Sequence, residues 1–265
     1  MITAAQISAH LAAVIERTRL EHAPFDHVVL ENIFPPEAYA ELLAMLPHDH
    51  YYRELKHSDA IMADGRSARL QFPLLVANIE RLPPAQRTFW NQIVAGLNSR
   101  KVEQAWRAKF KPVLETITGK AETAIKFRPH ITLFRDLGGY KISIHPDSPR
   151  KAITVQYYLP ADESQVHLGT VFHDKDASGG FREARAMRFA PNTGYAFAVT
   201  PESYHSVKPM SAQDKPRNSL MVIINYDRGP LIEGFKAVRA RLRAWYDKLA
   251  GRGAVEAGEG KYEQM

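Results

Sequence analysis

A short motif, His145-x-Asp147, has the side chains and the spacing to bind a metal ion. An imidazole nitrogen and a carboxylate oxygen two residues apart can turn towards one ion, and one further histidine completes a face of an octahedron with three positions left open. So short a motif also arises by chance, and a second copy, His57-x-Asp59, lies earlier in the chain. The spacing alone does not choose between the two copies.

Only the copy at His145 is followed by further polar residues in a pattern that suggests a binding site. His205 comes several predicted strands later, and Arg217 and Ser219 then open the apolar run 220–224. A guanidinium cannot lose its charge, so its burial without an anion is costly, and a carboxylate ligand would bind it through two hydrogen bonds. An internal acidic partner for Arg217, or its exposure to solvent, stays open as an alternative.

The apolar pattern around these residues divides the chain into two parts. Residues 1–125 show mainly helical periodicity, whereas from residue 126 apolar side chains recur with a period of two, which is typical of sheets. Eight short strands are predicted between residues 127 and 226, separated by Gly, Pro, Asp and Ser turns and without a helical crossover. This order predicts an α+β fold whose strands form a β-sandwich or jelly roll.

The predicted organisation is a single domain over residues 1–250. It comprises a mainly helical N-terminal layer (1–125), a jelly-roll core (126–228) and a C-terminal helix (229–250), and a disordered tail follows over 251–265.

The composition excludes several other classes of site. The 265 residues include no cysteine, which removes disulfide scaffolds, thiolate metal sites and cysteine nucleophiles, so a transition metal must be held by histidine and carboxylate. The net charge of +6 arises from 35 basic residues interspersed with 29 acidic ones, a pattern that does not favour a nucleic-acid partner. No run is apolar enough to span a membrane and the N-terminus lacks a signal-peptide pattern, so we expect a cytoplasmic protein.

Taken together, these residues resemble the iron(II)- and 2-oxoglutarate-dependent dioxygenases, especially their prolyl-hydroxylase-like bacterial branch. The resemblance covers residues 127–227 and consists of the His145-x-Asp147 motif, the segment 155–159 (VQYYL), His205 and the Arg217-Asn218-Ser219 segment, in the order of the family. The segment 24–35 is similar to the usual lead-in of bacterial members. The copy at His57 is set aside because nothing after it continues the pattern.

The resemblance implies a double-stranded β-helix that uses Fe(II), 2-oxoglutarate and O₂. In this reading His145, Asp147 and His205 bind the iron.

For the cosubstrate, the resemblance implies that Arg217 binds the distal carboxylate of 2-oxoglutarate and that Ser219 and Tyr157 offer hydrogen bonds to it. The neighbour Tyr158 is expected to point to the opposite face of the sheet.

The implied reaction is hydroxylation of an aliphatic C–H group in a small molecule or in a sugar- or amino-acid-containing substrate, with release of succinate and CO₂. The carboxylate of Asp147 favours hydroxylation, since related halogenases have a small residue in its place. Desaturation and ring closure remain open, and the substrate itself is not identified. Arg128, His130, Tyr140 and Arg150 are candidate substrate contacts because they flank the motif.

Three alternatives remain. A protein hydroxylase of the prolyl type fits the same pattern. A non-oxidative, cupin-like metal-binding protein fits the fold but has no use for Arg217 and Ser219. A nucleic-acid dealkylase is disfavoured. Proteins of that branch have a second arginine at the position where this chain has Ile223.

Overall fold

The computed structural model of the protein describes residues 1–56, 58–211 and 214–227. Five α-helices lie within these residues: α1 (Ala4–Arg17), α2 (Pro36–Ala44), α3 (Val76–Ile79), α4 (Pro84–Leu97) and α5 (Arg100–Thr118). Local sequence explains where they begin and end. Thr3 and Gln6 form a capping box at the start of α1, proline opens α2 and α4, and α5 ends at Gly119, which has a φ of 64°.

Eleven strands accompany the helices in the described residues. They are β1 (His27–Glu31), β2 (Arg53–Glu54), β3 (Arg69–Pro73), β4 (Phe127–Asp136), β5 (Ile142–His145), β6 (Lys151–Tyr158), β7 (Thr170–Lys175), β8 (Phe181–Ala186), β9 (Thr193–Ala198), β10 (His205–Val207) and β11 (Arg217–Tyr226).

The strands form two antiparallel sheets. The larger sheet has the order β1-β9-β6-β11-β4-β3-β2, and the smaller has the order β5-β10-β7-β8. One face of the larger sheet packs against the helices in a core that includes Leu11, Trp90 and Trp106. Its other face meets the smaller sheet, where the Phe172 ring lies 5.3 Å from that of Tyr195 between centroids. Helices and two sheets therefore stack as three layers.

These elements confirm the predicted mixture of N-terminal helices and antiparallel strands, with two corrections. Strands β2 and β3 were not predicted, so the N-terminal half also contributes to the larger sheet. One of the eight strands predicted between residues 127 and 226 covers residues 166–172, and its start is wrong: Val166–Leu168 is a 3₁₀ turn and β7 begins at Thr170. The chain turns at Gly169, where a Cβ would lie 1.7 Å from the Met187 carbonyl oxygen.

Several predictions fall on residues outside the described part of the chain. These are the C-terminal helix over 229–250, the tail over 251–265 and His57 of the second His-x-Asp copy. Among the described residues, no helix is both long and apolar enough to cross a bilayer.

Candidate metal centre

The two histidines of the predicted metal site come together because their strands pair. His145 ends β5, His205 begins β10, and the two residues are direct partners in the antiparallel register. Their ring centroids are 4.4 Å apart. Asp147 follows β5 by two residues, and one ligand atom from each of the three side chains lies within 4.8 Å of the other two. The structure therefore brings together the three residues that the sequence singled out.

Both imidazoles present a free nitrogen to the site. The Nδ1 atom of His145 lies 2.8 Å from the Ser143 carbonyl oxygen, and that of His205 lies 3.0 Å from the Ser203 carbonyl oxygen. Because a carbonyl oxygen only accepts hydrogen bonds, each Nδ1 carries the hydrogen, which leaves the Nε2 lone pair available to a metal ion.

The third member, Asp147, is held ionised and in place by two neighbours on β6. Lys151 Nζ donates to Oδ1 at 2.6 Å, and Thr154 Oγ1 donates to Oδ2 at 2.5 Å. Burial alone would raise the pKa of Asp147, but Lys151, His205 and these hydrogen bonds hold it well below its usual range. The carboxylate is thus an anionic ligand at any physiological pH.

His205 is kept neutral by its surroundings. Burial, with a contribution from neighbouring His145, lowers its pKa to about 4, although Asp147 acts in the opposite direction. A neutral imidazole and an ionised carboxylate are the forms that coordinate a metal. Two nitrogens and one oxygen converging from one side fit an Fe(II) ion whose other positions remain open.

The three candidate metal ligands lie in an open cavity between the two sheets. The space between its walls, counted together with the open mouth, is about 490 Å³. Residues that line it, besides the three candidate ligands, include Arg69, Tyr140, Lys151, Thr154, Gln156, Thr170, Tyr195 and Arg217.

Arg217 lies in this cavity, and it has the internal acidic partner that the sequence left open. Its Nη1 donates to Asp136 Oδ2 at 2.7 Å, and its Nε donates to the Leu168 carbonyl oxygen at 2.7 Å. The Nη2 atom lies 3.5 Å from Thr170 Oγ1. Burial alone would lower the pKa of Arg217, but Asp136 raises it, so the group stays charged. Arg217 can therefore still donate to an anion that enters the cavity.

A buried hydrogen-bond chain lies beside Arg217. Ser219 Oγ accepts from Gln156 Nε2 at 3.0 Å, and Gln156 Oε1 accepts from the Tyr195 hydroxyl at 2.6 Å. That hydroxyl is 3.0 Å from Thr170 Oγ1. Ser219 is fully buried, and its hydroxyl oxygen already accepts the hydrogen bond from Gln156.

The expected orientation of the two tyrosines of β6 is wrong. Tyr157 faces the helical core, where its ring lies 5.8 Å from that of Phe34, and its buried hydroxyl has no hydrogen-bond partner among the described residues. Tyr158 faces the inter-sheet side: its hydroxyl accepts from the Thr170 backbone N–H at 2.9 Å, and its ring centroid is 5.3 Å from Arg217 Cζ. Side chains alternate along a strand, so an error of one residue exchanges the two faces.

Of the four candidate substrate contacts, only Tyr140 lines the cavity. It is buried and its hydroxyl accepts a hydrogen bond from Arg69. Arg128 lies on β4 with half its side chain exposed, 3.6 Å from Asp227. His130 is exposed on the same strand, and Arg150 is partly buried in the turn before β6. The structure does not bring these three to the cavity.

Sequence reasoning missed Arg69, Asp136, Thr154 and Gln156 in and behind the cavity wall. Thr154 and Gln156 had a signal, since they alternate on one face of a predicted strand. Asp136 also had one, because an acidic residue follows the apolar-rich segment 131–134 at the end of the strand. Arg69 lies in a short strand that the sequence did not predict, so nothing placed it near the site.

The chain was compared with known proteins at three levels. No family model matches the sequence, and no curated protein matches it. A prolyl-4-hydroxylase from Pseudomonas putida is similar in structure, with a TM-score of 0.53 at 16% identity over 82% of this chain and 99% of that one.

Two further solved structures are similar over most of their length. One is an oxidoreductase of the 2OG-Fe(II) oxygenase family from Burkholderia pseudomallei, with a TM-score of 0.50 at 15% identity over 86% of this chain and 92% of that one. The other is a dioxygenase for auxin oxidation from Arabidopsis thaliana in complex with 2-oxoglutarate, with a TM-score of 0.50 at 11% identity over 86% and 90%. The chain therefore has the fold of solved 2-oxoglutarate- and iron-dependent oxygenases, which confirms the predicted resemblance at the level of fold.

Proposed function

We propose that the protein is an Fe(II)- and 2-oxoglutarate-dependent oxygenase that hydroxylates an aliphatic C–H group in a small molecule or in a sugar- or amino-acid-containing substrate. The observation that carries this proposal is the convergence of the His145 and His205 Nε2 lone pairs with the Asp147 carboxylate in a cavity that also contains Arg217. The fold likeness supports it, and we infer that the two facing sheets form the jelly roll of those enzymes.

In this proposal each of the residues around the metal position has a single role. His145, Asp147 and His205 hold the metal, while Lys151 and Thr154 orient the Asp147 carboxylate. Arg217 binds the distal carboxylate of 2-oxoglutarate. Bound there, Fe(II), 2-oxoglutarate and O₂ supply oxidative decarboxylation coupled to oxygen insertion, with succinate and CO₂ as products.

The remaining cavity wall controls orientation and access to water. Tyr195 and Gln156 line the cavity, are buried and are hydrogen-bonded to each other, and Gln156 also donates to buried Ser219, so this wall is rigid. A rigid, dry wall positions the target C–H group and limits side reactions. Tyr157 has no task here, because it faces the helical core.

The test is spectroscopic. Adding Fe(II) and 2-oxoglutarate without oxygen should produce the weak visible charge-transfer band of the chelated cosubstrate. Asp147→Ala and His205→Ala should abolish the band, whereas His130→Ala, on an exposed strand position, should keep it. A band that persists in both ligand variants would overturn the ligand assignment. A protein that binds the metal but shows no band with 2-oxoglutarate would instead favour the cupin-like alternative.

A prolyl residue in a protein is the second candidate substrate, because one of the similar structures is a prolyl-4-hydroxylase. Mass spectrometry distinguishes the two candidates. Proline-containing peptides and a small-molecule extract are each incubated with the protein, Fe(II), 2-oxoglutarate and O₂, and gain of one oxygen atom identifies the substrate class.

A further inference from the structure

One edge of each sheet meets the other through side chains. β1 is an edge strand of the larger sheet and pairs with β9, whereas β8 is an edge strand of the smaller sheet and pairs with β7. Arg185 on β8 forms an ion pair with Glu21, a residue that two backbone hydrogen bonds of 2.8 Å hold beside His27 of β1. The Arg185 Nη1 atom also lies 3.3 Å from His27 Nε2. Side chains therefore close this side of the space between the two sheets.

His27 takes part in this contact as a neutral acceptor. It is fully buried, and its Nδ1 atom lies 2.8 Å from the Phe25 carbonyl oxygen, so Nδ1 carries the hydrogen and Nε2 has a free lone pair. Arg185 Nη1 can donate to that lone pair. Burial lowers the pKa of His27 from its ordinary value of 6.5, and so favours the neutral ring that the contact requires.

The groups around His27 come from four elements. The segment before β1 and strand β8 place charged groups beside the ring, while β7 and β9 place uncharged rings there: Glu21, Asp26, Arg185, Phe172 and Phe197. The Asp26 carboxylate is itself hydrogen-bonded to His22 Nδ1 at 2.7 Å. Glu21 is therefore the carboxylate that Arg185 and His27 have in common.

Protonation of His27 would rearrange this contact. An imidazolium has a hydrogen on both nitrogens, so it cannot accept from Arg185 and becomes a second cation beside it. The Glu21 carboxylate lies 3.9 Å from His27 Nε2, close enough to pair with the imidazolium in place of the guanidinium. Two cations then compete for one carboxylate, and Arg185 loses its hold on the larger sheet.

The contact borders the wall behind the candidate metal centre. The Phe172 ring lies 5.1 Å from that of His27 and 5.7 Å from that of Phe197, between centroids. The Phe197 ring is in turn 5.0 Å from that of His205. Separation of β8 from β1 would admit water to this aromatic cluster beside His205.

We propose that Glu21, His27 and Arg185 form a pH-sensitive latch between the edges of the two sheets: it is closed while His27 is neutral, and it opens, releasing β8, when His27 is protonated. The latch is independent of the proposed function, since it contains no metal ligand and no cosubstrate contact. Opening returns His27 to water and to its ordinary pKa of 6.5, so acid favours the open form by at most about tenfold for each pH unit below 6.5.

Hydrogen exchange of the full-length, metal-free protein tests the latch. Exchange of the backbone amides of residues 181–186 is measured at pH 7.5 and at pH 5.5 and corrected for the intrinsic exchange rate. In the wild type we expect the opening equilibrium of β8 to rise by between about threefold and tenfold on acidification. This rise should exceed that in His27→Gln, whose side chain stays neutral, by about threefold or more. Other titrating groups, such as His173 on β7, act in both proteins and cancel from the comparison.

His22→Gln is the matched control. His22 is exposed and is hydrogen-bonded to Asp26 rather than to Arg185, so this variant should keep the wild-type response to pH. Arg185→Met tests the latch from the other strand. It removes the cation that joins β8 to Glu21, so β8 should exchange faster than in the wild type at pH 7.5 and should respond less to acid. If His27→Gln does not fold, the comparison of wild type with Arg185→Met decides the question.

Three results would overturn the latch. The first is an equal rise in opening for wild type and His27→Gln, and the second is a wild-type β8 that opens equally at both pH values. The third is unchanged exchange of β8 in Arg185→Met at pH 7.5, which would show that Arg185 does not hold this edge. None of these results bears on the proposed function.

Discussion

At the metal end of the cavity (His145, Asp147 and His205), lone pairs from three side chains point towards one shared position, whereas at the arginine end (Arg69, Asp136 and Arg217) two guanidiniums point at one carboxylate. The side chains of the metal end are all groups that can coordinate a cation. The arginine end already contains an anion, Asp136, that lies beside both of its guanidiniums. The metal end therefore presents ligand atoms for a cation, whereas the charged side chains of the arginine end pair with one another.

The two ends also differ in how they are supported. Each metal-end histidine is fixed by a carbonyl two residues before it, and Asp147 is fixed by residues four and seven positions later. The partners of Arg217 come instead from β4 and from the residues just before β7, far away in sequence. Changes at the metal end should alter ligand binding with modest effects on folding, while changes at the arginine end should affect folding strongly.

The largest effect is expected from Asp136→Asn. The substitution removes the carboxylate charge that pairs with buried Arg217 and lies beside Arg69, and breaking a buried pair in this way costs about 3–5 kcal/mol. Urea denaturation should show a corresponding fall in the free energy of unfolding. Asp174→Asn, which removes the exposed ion pair with Arg182, should leave the unfolding curve of the protein unchanged. Equal free energies of unfolding for wild type and Asp136→Asn would show that the charge of Asp136 does not stabilise the fold.

The second largest effect is expected on the pH dependence of the free energy of unfolding of the metal-free protein. The folded pKa of His205 is about 4, below its ordinary value of 6.5, so between these values the unfolded chain binds a proton that the folded protein does not. Stability attributable to His205 is therefore complete above pH 6.5 and is lost as the pH falls towards 4, by about 3 kcal/mol in total.

His205→Gln isolates this contribution. The variant should lose less stability than the wild type between pH 6.5 and pH 4, as measured by urea unfolding after removal of metal with a chelator. Above pH 7 the two curves should run parallel, since His205 is neutral there in both states. If wild type and His205→Gln lost the same free energy of unfolding between pH 6.5 and pH 4, the lowered pKa of His205 would be contradicted.

A smaller effect is expected from Thr154→Val, which removes the hydrogen bond to Asp147 Oδ2 and keeps the shape of the side chain. Loss of a group that orients a metal ligand weakens metal binding about tenfold or more. Calorimetry with Mn(II) measures this change, and Thr132→Val on β4 provides the strand control. Equal Mn(II) affinity in the two variants would mean that Lys151 alone positions the carboxylate.

The smallest effect is expected from Tyr157→Phe. The hydroxyl is buried among helical-core residues without a partner in the described part of the chain, so its removal should not lower stability and should leave the Kd for 2-oxoglutarate within about twofold of wild type. Tyr158→Phe removes the acceptor of the Thr170 N–H beside Arg217 and should weaken binding more. The opposite ranking would restore the original assignment of Tyr157 to the site.

The metal end could be predicted from the sequence because its information is local. The spacing of His145 and Asp147, and the position of His205 at the start of a strand-like segment, are visible in the printed chain. The predicted strands were also right in number and approximate place over residues 127–226, because alternating burial leaves a period of two. The same pattern is ambiguous by one residue in phase, so it could not correct the assignment of Tyr157, which came from the family resemblance and placed this residue on the wrong face.

By itself, the sequence determined the class of chemistry: without cysteine, a His and Asp set is the means of binding a transition metal, and an arginine opening a buried strand requires an anion. Which anion stands beside Arg217, and that a second arginine shares it, was decided only by tertiary structure. Arg69, Asp136 and Arg217 are far apart in the chain and meet because β3, β4 and β11 pair in one register. Register depends on the packing of whole sheets against the helical core, which no local spacing encodes.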